Sequence, residues 1–578
     1  MHNFEIAWAF RELATLLEVK GENSFKVVAY RKGAEVLEGM DRPVAAMSQE
    51  EILSVPGLGK ALVANILELE TTGRLEVLQH LRKEIPKGVV QALALPGVGT
   101  KVAHKLMTHL KIKTLQDLKE AAQAKRIRTI PGLGPKVEVN IQRGIARLEE
   151  QAGLILLAEA RGVAGRLVDF LYKLPVRRAE VAGEVRRGEE MVEQLELVVD
   201  PGVTDWKEMA EVLGKHPLLV GDMLRQEVEG QWVLLAQLRS GIKLIVYVLG
   251  EAEFIPAWLY HTGNAGHWGR LVELAEKKGL SLGPRHFTGN GFEPADGDDH
   301  CEAAVYSALG LPYIAPELRD NQGEIEAGLK GQLPGLIRQV DLKGDLHLHS
   351  KWSDGVNTIE ELVEAARKRG YEYIAITDHS RSLAIARGLP IEKLKEQKQR
   401  IAGLNQTLQG FRVFAGIEMD ILGDGRLDYP DEILEELDLV IGSIHSGFRQ
   451  EGEKLTNRIL GAIQNPHVDI VAHPTGRVLG RRDPYGVDIR AILEAAAKYD
   501  TVLEINSSPD RLDLKAEYCR QAKESGVKLA INTDAHEAGA MADAELGIII
   551  ARKGWLEAKD VINTMSAKEL EEYLCNKL

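Results

Sequence analysis

The last 238 residues, from Asp341 onward, alternate short apolar runs with segments of helical periodicity. The helical segments include residues 359–368 and 489–498. Strands that alternate with helices form a parallel sheet with helical crossovers. Seven apolar runs have the length of a strand: residues 345–348, 373–377, 413–417, 439–444, 470–472, 502–505 and 529–533. Seven such units predict a closed (β/α)7 barrel.

Histidine and acidic side chains follow six of these seven predicted strands. In a βα barrel the C-terminal ends of the strands surround one mouth, where the active site lies. Six of the seven histidines after Asp341 fall at strand ends, and only His467 is left over. The sequence therefore predicts that nine side chains converge on this mouth: His347, His349, Asp354, His379, Glu418, His445, His473, Asp534 and His536.

This set of side chains has the composition of a metal site. Mixed imidazole and carboxylate ligands favour Zn, Mn or Fe over Mg or Ca. A catalytic zinc takes about three protein ligands, so nine ligands predict two or three clustered divalent ions. A single His-x-His on a strand is more often structural or incidental, but the repeated coincidence with strand ends favours metal binding here.

The whole segment from Asp341 resembles the PHP (polymerase and histidinol phosphatase) family. In that family these positions bind a metal cluster that hydrolyses phosphoesters. The resemblance implies that all nine residues named above are catalytic metal ligands, and the sequence departs from the family at none of them.

A second feature is a motif that occurs three times near the N-terminus, at residues 55–60, 95–101 and 130–136. Each copy contains Pro-Gly-x-Gly and precedes a helical pattern. Paired glycines permit a tight turn that directs backbone N–H groups outward at a helix N-terminus, and such an end attracts phosphate. The candidate residues are Gly57, Gly59, Lys60, Gly97, Gly99, Lys101, Gly132, Gly134 and Lys136.

The repeat resembles the helix-hairpin-helix motif, which implies binding to the DNA backbone without sequence reading. The formal net charge of the chain, −14, argues weakly against a nucleic-acid partner. Residues 91–148 nevertheless hold eleven Lys or Arg and three Asp or Glu. Charge alone is equally compatible with a solvated helix face, but three copies of the motif favour DNA binding.

Between the repeats and the predicted barrel, residues 178–181, 194–199, 232–238 and 243–249 read as strands. With the connection 182–188, this arrangement resembles the palm of family X DNA polymerases. Residues 260–267 resemble the nucleotide-contact loop of that family, and residues 309–319 resemble the end of its thumb. Together with the last segment, the resemblance is to bacterial family X polymerases with a C-terminal PHP domain.

The catalytic positions of the palm depart from that family. Its members use an Asp-x-Asp pair on one strand and a third Asp on the neighbouring strand, so that two metals are shared. Here the pair reads Gln194 and Glu196, and Ile245 occupies the third position. Glu184 replaces a serine that contacts the triphosphate. The residues of this degenerate site are Gly183, Glu184, Arg187, Gln194, Glu196 and Ile245.

These observations predict a multidomain chain with an α-helical N-terminal region, an α+β nucleotidyltransferase-like palm and thumb, and the barrel. The predicted bounds are 1–80 for a helical domain with the first hairpin, 81–150 for fingers with two more, 151–252 for the palm, 253–320 for the thumb, 321–340 for a linker and 341–578 for the PHP domain.

We expect a DNA-repair protein in which the PHP domain is a metal-dependent 3′–5′ exonuclease and the polymerase body binds DNA without synthesis. The expected partner is DNA with gaps, primer–template junctions or damaged 3′ ends. The alternatives are an active gap-filling polymerase with PHP editing, a DNA-binding scaffold without chemistry, and a small-molecule phosphatase. The sequence has no run of about 18 apolar residues, no secretory signal and no paired cysteine motif, so we expect no membrane partner and a cytoplasmic location.

Overall fold

The computed structural model describes residues 3–38, 40, 42, 44–93, 95, 97–150, 153–228, 230–288 and 300–575. The chain forms two compact units, residues 1–152 and 153–578. Within the described residues, no helix is both long enough and apolar enough to cross a membrane.

The first unit is helical. One apolar cluster, which includes Ile6, Leu81 and Ile145, holds these helices together and spans the predicted boundary between residues 80 and 81. The helices are α1 Asn3–Lys20, α2 Ser24–Glu38, α3 Gln49–Leu53, α4 Lys60–Thr72, α5 Glu76–Glu84, α6 Lys87–Ala92, α7 Thr100–Leu110, α8 Leu115–Gln123 and α9 Pro135–Glu150. Helices α4, α7 and α9 begin directly after the second glycine of each repeat, as the glycine pairs predict.

The second unit opens with a five-stranded sheet in the order β2-β4-β7-β6-β5, in which only β4 and β7 are parallel. The elements are β1 Ile155–Leu156, α10 Leu157–Leu171, β2 Arg178–Val181, α11 Gly183–Arg187, β3 Met191–Val192, β4 Gln194–Asp200, α12 Trp206–Gly214, β5 Leu219–Val228, β6 Gln231–Leu238 and β7 Lys243–Val248. The four predicted strands are present. The sequence did not predict β5, because most of its residues are exposed and it lacks an apolar pattern.

A thumb-like segment follows, and residues 289–299 of the predicted thumb lie outside the described residues. Its elements are α13 Glu251–Thr262, α14 Ala265–Lys277, β8 Ser281–Gly283, β9 His286–Thr288 and α15 His300–Ala308. The predicted linker 321–340 is an ordered part of the core instead. It contains α16 Glu324–Leu329, Ile325 and Ile337 are buried, and the buried Glu324 carboxylate lies 2.6 Å from His267 Nδ1.

The third part of the chain is a seven-stranded parallel sheet with its strands in sequence order. Its strands are β10 Gly344–Leu348, β11 Tyr373–Ile376, β12 Arg412–Asp420, β13 Leu439–Ser443, β14 Ile470–Val471, β15 Val502–Asn506 and β16 Leu529–Asn532. Its helices are α17 Ile359–Lys368, α18 Ile391–Asn405, α19 Asp431–Leu434, α20 Gly452–Gln464, α21 Ile489–Tyr499, α22 Ala516–Glu524, α23 Ala544–Lys553 and α24 Ala567–Cys575. All seven predicted strands are confirmed.

The sheet curves into a nearly closed barrel. A parallel bridge joins Leu348 to Ala535, and Leu346 N donates to Asn532 Oδ1 at 3.2 Å, so the first and last strands are neighbours. Nearly all strand residues are buried, because side chains fill the barrel inside and helices cover it outside. This closure places the C-terminal ends of all seven strands around one mouth.

Two helical glycines of the barrel allow its packing to be tested. A Cβ on Gly547 in α23 would lie 2.1 Å from Ser507 Oγ and 2.7 Å from Ile531 Cγ2, whereas a Cβ on Gly403 in α18 would meet no atom within 4 Å. Alanine favours a helix by about 1 kcal/mol over glycine at both positions. We expect Gly547→Ala to destabilise the protein by about 1–3 kcal/mol through overpacking and Gly403→Ala to leave it unchanged or stabilised, measured by urea denaturation. Equal midpoints for the two variants would contradict the packing of α23.

Candidate metal centre and nucleic-acid interface

The structure brings the nine predicted side chains together at the barrel mouth. His347 lies in β10 and Glu418 in β12, and the other seven follow the ends of β10, β11, β13, β14 and β16. The side chains of His347, His349, Glu418 and His473 are almost fully buried, whereas those of Asp354 and His536 are 31% and 41% exposed. The cluster therefore has a buried floor and an open rim.

Glu418 occupies the centre of this cluster. Its Oε2 lies 2.7 Å from His379 Nδ1, and its Oε1 lies 3.1 Å from His445 Nε2 and 3.2 Å from His473 Nε2. Its Oε2 is also 3.5 Å from His347 Nε2. One carboxylate thus faces imidazoles from four other strand ends, which is the arrangement of a bridging ligand.

Two further carboxylates complete the cluster on either side. Asp534 Oδ1 lies 3.1 Å from His349 Nε2 and 3.7 Å from His347 Nε2. Asp354 lies 3.4 Å from His536 Nε2 and 3.5 Å from His379 Nε2. Three groups have ligand atoms within 4.8 Å of one another: His349, Asp354, His379 and His536; His347, His349 and Asp534; and His379, Glu418 and His445.

The hydrogen bonding of these atoms fits a metal cluster. Five buried atoms of the site have no hydrogen-bond partner among the described residues: His347 Nε2, His349 Nδ1, His379 Nδ1, Glu418 Oε2 and His473 Nδ1. A buried polar atom without a partner costs about 1–3 kcal/mol. These atoms belong to side chains that face one another, as the 2.7 Å between His379 Nδ1 and Glu418 Oε2 shows, and cations beside them would satisfy their lone pairs. The donor set fits divalent ions that accept imidazole and carboxylate together.

The pKa values of the histidines in this cluster shift in opposite directions. Burial lowers the pKa of His379, but Glu418 and Asp354 outweigh it and raise the pKa to about 10. Burial also lowers the pKa of His445, but Glu418 and Asp420 outweigh this effect and raise the pKa to about 9. Burial and the neighbouring His379 lower the pKa of His349 to about 3. Metal binding needs neutral imidazoles, so cations would displace protons from the first two residues.

Two of the nine residues have an unusual backbone. His473 has φ +30° and Asp534 has φ +55°, both in the left-handed region that non-glycine residues seldom adopt. Such conformations persist when surrounding contacts hold them, and they occur preferentially at functional sites. Here His473 N donates to Glu504 at 2.8 Å, and Asn506 Nδ2 donates to Asp534 Oδ2 at 3.1 Å.

The sequence interpretation missed the residues that orient the nine. Glu504 Oε1 lies 2.7 Å from His347 Nδ1, and Asp420 Oδ1 lies 2.7 Å from His445 Nδ1. Carboxylates of this kind fix the tautomer and ring orientation of a metal-binding histidine. Arg511 was missed as well; its Nε lies 3.7 Å from Asp534 Oδ2, so it contacts a carboxylate of the cluster and not a histidine. A signal that could have found Glu504 is the position of this acid between the apolar residues Leu503 and Ile505 of strand β15.

The three repeats share one geometry in the first unit. Gly57, Gly97 and Gly132 have φ +100°, +80° and +78°, which only glycine adopts cheaply. The apolar residue that follows each of them is buried and anchors the turn. A Cβ on the second glycine of each repeat, Gly59, Gly99 or Gly134, would meet no atom within 4 Å. Space is therefore open beside the N-termini of α4, α7 and α9.

A phosphate at these helix ends would meet unpaired backbone N–H groups and the positive end of the helix dipole. The lysines of the repeats, Lys60, Lys101 and Lys136, are exposed at the first or second position of each helix. The three turns thus place open space and a lysine at each helix end, and two of them lie in the basic segment 91–148.

The palm residues have the pairing that the sequence predicts. Gln194 and Glu196 alternate on β4, and Ile245 on β7 is the register partner of Glu196. Gln194 Nε2 donates to Glu196 Oε1. Burial outweighs this bond and raises the pKa of the Glu196 carboxyl to about 7. One buried, partly protonated carboxylate with an amide and an aliphatic neighbour is a poor site for two divalent ions.

The charged groups around the palm loop have partners within the protein. Glu184 Oε2 accepts from Glu193 N at 2.7 Å, so this side chain is bound to the neighbouring backbone. Arg186 forms a bidentate pair with the buried Glu302 at 2.8 and 2.7 Å. Arg187 donates to Thr262 O at 2.8 Å and lies 3.3 Å from Asp320. Both arginines of the loop are thereby held inside the palm and thumb.

Comparison with protein families agrees with this architecture. The chain matches a helix-hairpin-helix domain over residues 1–75, a SAM-like helix-hairpin-helix tandem over 91–147, a DNA polymerase beta thumb over 257–320 and a PHP domain over 345–508. Helix-hairpin-helix and thumb domains indicate that the chain binds DNA.

Three similar proteins extend the comparison. The chain is 37% identical over 581 residues to the DNA polymerase/3′-5′ exonuclease PolX of Bacillus subtilis (strain 168), and the alignment covers 99% of each chain. It is 33% identical over 245 residues to a probable phosphatase of Thermoanaerobacter sp. (strain X514), which covers 40% of this chain and 94% of that protein. A probable phosphatase of Caldanaerobacter subterraneus subsp. tengcongensis is 30% identical over 244 residues, with coverage of 40% and 91%.

The fold, the barrel mouth and these matches define a DNA-binding protein of polymerase architecture with an attached PHP barrel. The chain belongs to the family X DNA polymerases that carry a C-terminal PHP domain.

The hairpin geometry predicts how DNA affinity changes. Gly97→Ala forces a side chain into the left-handed region at a cost of about 1–2 kcal/mol, so we expect the turn to shift and DNA affinity to fall several-fold. Lys101→Gln should weaken binding to all sequences alike and reduce the slope of log affinity against log salt by about 1. Fluorescence anisotropy with labelled duplexes at several salt concentrations measures both effects. The exposed Lys32 lies outside the three turns, and Lys32→Gln serves as the control. An equal change of slope in the control would contradict the assignment.

Proposed function

We propose that this protein is a Mn²⁺-dependent 3′–5′ DNA exonuclease whose PHP barrel removes nucleotides or damaged ends from DNA held by the hairpins. The observation that carries the proposal is the convergence of nine imidazole and carboxylate side chains, with partnerless buried atoms, at one barrel mouth. The full-length similarity to a protein named DNA polymerase/3′-5′ exonuclease supports the substrate class. Its expected substrates are gapped DNA, primer–template junctions and damaged 3′ ends.

The nine residues would hold two or three divalent ions, and Glu418 lies at the centre of this ligand set. The side chains of His347, His349 and His473 would form the buried floor, and Asp354 and His536 would hold the ion nearest the open rim. Bound divalent ions would supply a nucleophile from water at neutral pH and positive charge for the leaving oxygen. Glu504 and Asp420 keep their histidines oriented, which preserves the ligand geometry during turnover.

We further propose that the palm has lost nucleotidyl transfer. Transfer needs one ion to activate the 3′-hydroxyl and another to hold the triphosphate, both bridged by palm carboxylates. Gln194 and Ile245 stand in place of two of those carboxylates, and the third, Glu196, is buried and bonded to Gln194. The polymerase body would then serve as a DNA-holding platform.

The second candidate function is gap-filling synthesis with PHP editing. The printed name of the Bacillus subtilis relative includes polymerase activity, and that observation favours it. It requires carboxylates other than the three palm positions. Asp200 at the end of β4 is buried and pairs with Arg177 at 3.2 Å, so this nearby acid already has a partner. We therefore rank synthesis second.

Removal of single ligands tests the nuclease. We expect His347→Ala and Asp534→Ala to lose bound metal in elemental analysis and to lower hydrolysis of a labelled primer–template by at least about 1000-fold, with DNA affinity nearly unchanged. His467→Ala is the matched control, because His467 belongs to the barrel but lies beside α24 and not in the metal-ligand cluster. Full activity in both ligand variants would refute the proposed site.

Primer extension tests the palm. In protein whose nuclease is disabled by His349→Ala, we expect no template-directed extension on a gapped duplex with Mg²⁺ or Mn²⁺, because two of three metal-bridging carboxylates are absent. The same preparation must bind the duplex in the anisotropy assay, so that a missing product is not a missing complex. Template-matched extension would make the gap-filling polymerase the leading function.

A further inference from the structure

One palm residue reaches into the loops of the PHP barrel. Glu190 lies between α11 and β3, shortly after the two palm arginines Arg186 and Arg187, which form the arginine loop. Its carboxylate forms a bidentate pair with Arg477, with Oε2 2.8 Å from Nη1 and Oε1 2.7 Å from Nη2. Only 8% of the Arg477 side chain and 23% of the Glu190 side chain are exposed. Bidentate, largely buried pairs of this kind fix both partners in orientation as well as distance.

The remaining donors of Arg477 hold a turn of the barrel. Its Nε donates to Arg511 O at 2.9 Å, and its Nη2 also donates to Leu512 O. Leu512 has φ +46°, a left-handed conformation that needs external support in a non-glycine residue. Glu190 therefore orients the guanidinium that holds the backbone of Arg511 and Leu512 in place.

That turn delivers a cation to the metal-ligand cluster. Arg511 Nε lies 3.7 Å from Asp534 Oδ2, and its side chain is 21% exposed. Its Nη1 atom is buried and has no hydrogen-bond partner among the described residues. The guanidinium fork matches the oxygens of a phosphate group, and here it adjoins a candidate ligand of the metals. Arg511 is thus a cationic group placed beside the cluster, where it could contact a phosphodiester that enters the mouth.

We propose that Glu190 of the palm is a positioning residue of the nuclease, acting through Arg477 on Arg511, which binds the scissile phosphate. This inference rests on the proposed phosphodiesterase function. It assigns the palm a second role besides DNA holding, because the barrel takes part of its phosphate-binding geometry from a residue outside the barrel. Loss of the Glu190 charge would let the Arg511 turn shift, and a displacement of about 1 Å can cost on the order of 100-fold in rate.

A second contact between palm and barrel provides a control that distinguishes positioning of Arg511 from general stabilisation of this boundary. Arg161 pairs with Glu545 at 2.5 Å, and both side chains are well exposed. This pair joins α10 to α23 without using the Arg511 turn. Glu545→Gln therefore removes a carboxylate from the same boundary by the same chemical change as Glu190→Gln, which makes it the matched control.

The test uses the full-length protein loaded with Mn²⁺ and bis(4-nitrophenyl) phosphate, a small diester that does not depend on the DNA-binding hairpins. We expect Glu190→Gln to lower kcat by about 10-fold to 100-fold and to weaken inhibition by inorganic phosphate, with metal content unchanged at a temperature where the variant remains folded. We expect Arg511→Met to lower kcat by about 100-fold to 1000-fold, with Arg511→Lys partly restoring it. Glu545→Gln should retain the wild-type kcat and phosphate inhibition.

The decisive measurement is the double variant. If Glu190 acts through Arg511, Glu190→Gln adds less than about 2-fold once Arg511→Met is present. A full Glu190→Gln penalty in that background, or an equal penalty from Glu545→Gln, would overturn the positioning role. A change of metal content in Glu190→Gln would overturn it as well. Failure of the proposed function looks different, because wild-type protein would then show no Mn²⁺-dependent hydrolysis of either the diester or DNA.

Discussion

The barrel mouth depends on one constraint, the placement of a single carboxylate among buried imidazoles. Glu418 is 1% exposed, and hydration cannot stabilise its charge there. Most of the surrounding histidines are buried as well, and nearby carboxylates raise the pKa of some of them, such as His379, while the pKa of His349 is lowered. The long strand β12 carries Glu418 to the centre, and carboxylates such as Glu504 orient the ligands from behind. The fold therefore collects buried carboxylates and imidazoles at one mouth, where cations between them would satisfy their lone pairs.

In the palm, by contrast, the buried charged side chains are paired with one another. Arg186 is paired with Glu302, which is itself fully buried and also binds Arg319 at 2.9 Å. Charged groups in such a network are costly to free, because breaking one buried pair leaves the other charge without a partner. The arginine loop is therefore part of a rigid junction between palm and thumb. Glu190, three residues after Arg187, instead pairs with Arg477 of the barrel, so this region also ties the palm to the barrel.

The sequence was sufficient to predict the barrel, since parallel strands buried on both faces appear as uninterrupted apolar runs, and their ends carry the candidate ligands. It failed where burial depends on partners far away in the chain. Strand β5 is mostly exposed and has no apolar pattern, and the segment 321–340 has the glycines, glutamines and proline of a linker, although Ile325 and Ile337 are buried. Arg511 belongs to a polar loop whose position is set by Arg477, and no spacing in the sequence relates those two residues to Asp534.

The separation of DNA holding from chemistry has a kinetic consequence under the proposed function. The three hairpins contact phosphates that do not react, so their binding energy is the same in the ground state and the transition state and lowers KM without raising kcat. Sequence-independent backbone contacts also give no preference for a 3′ end. Selection of the end must then come from the barrel mouth, where the exposed rim at Asp354 and His536 leaves room for a strand terminus. If the palm has lost its metal-binding carboxylates, the barrel mouth is the one site in the described chain that combines phosphate chemistry with DNA binding.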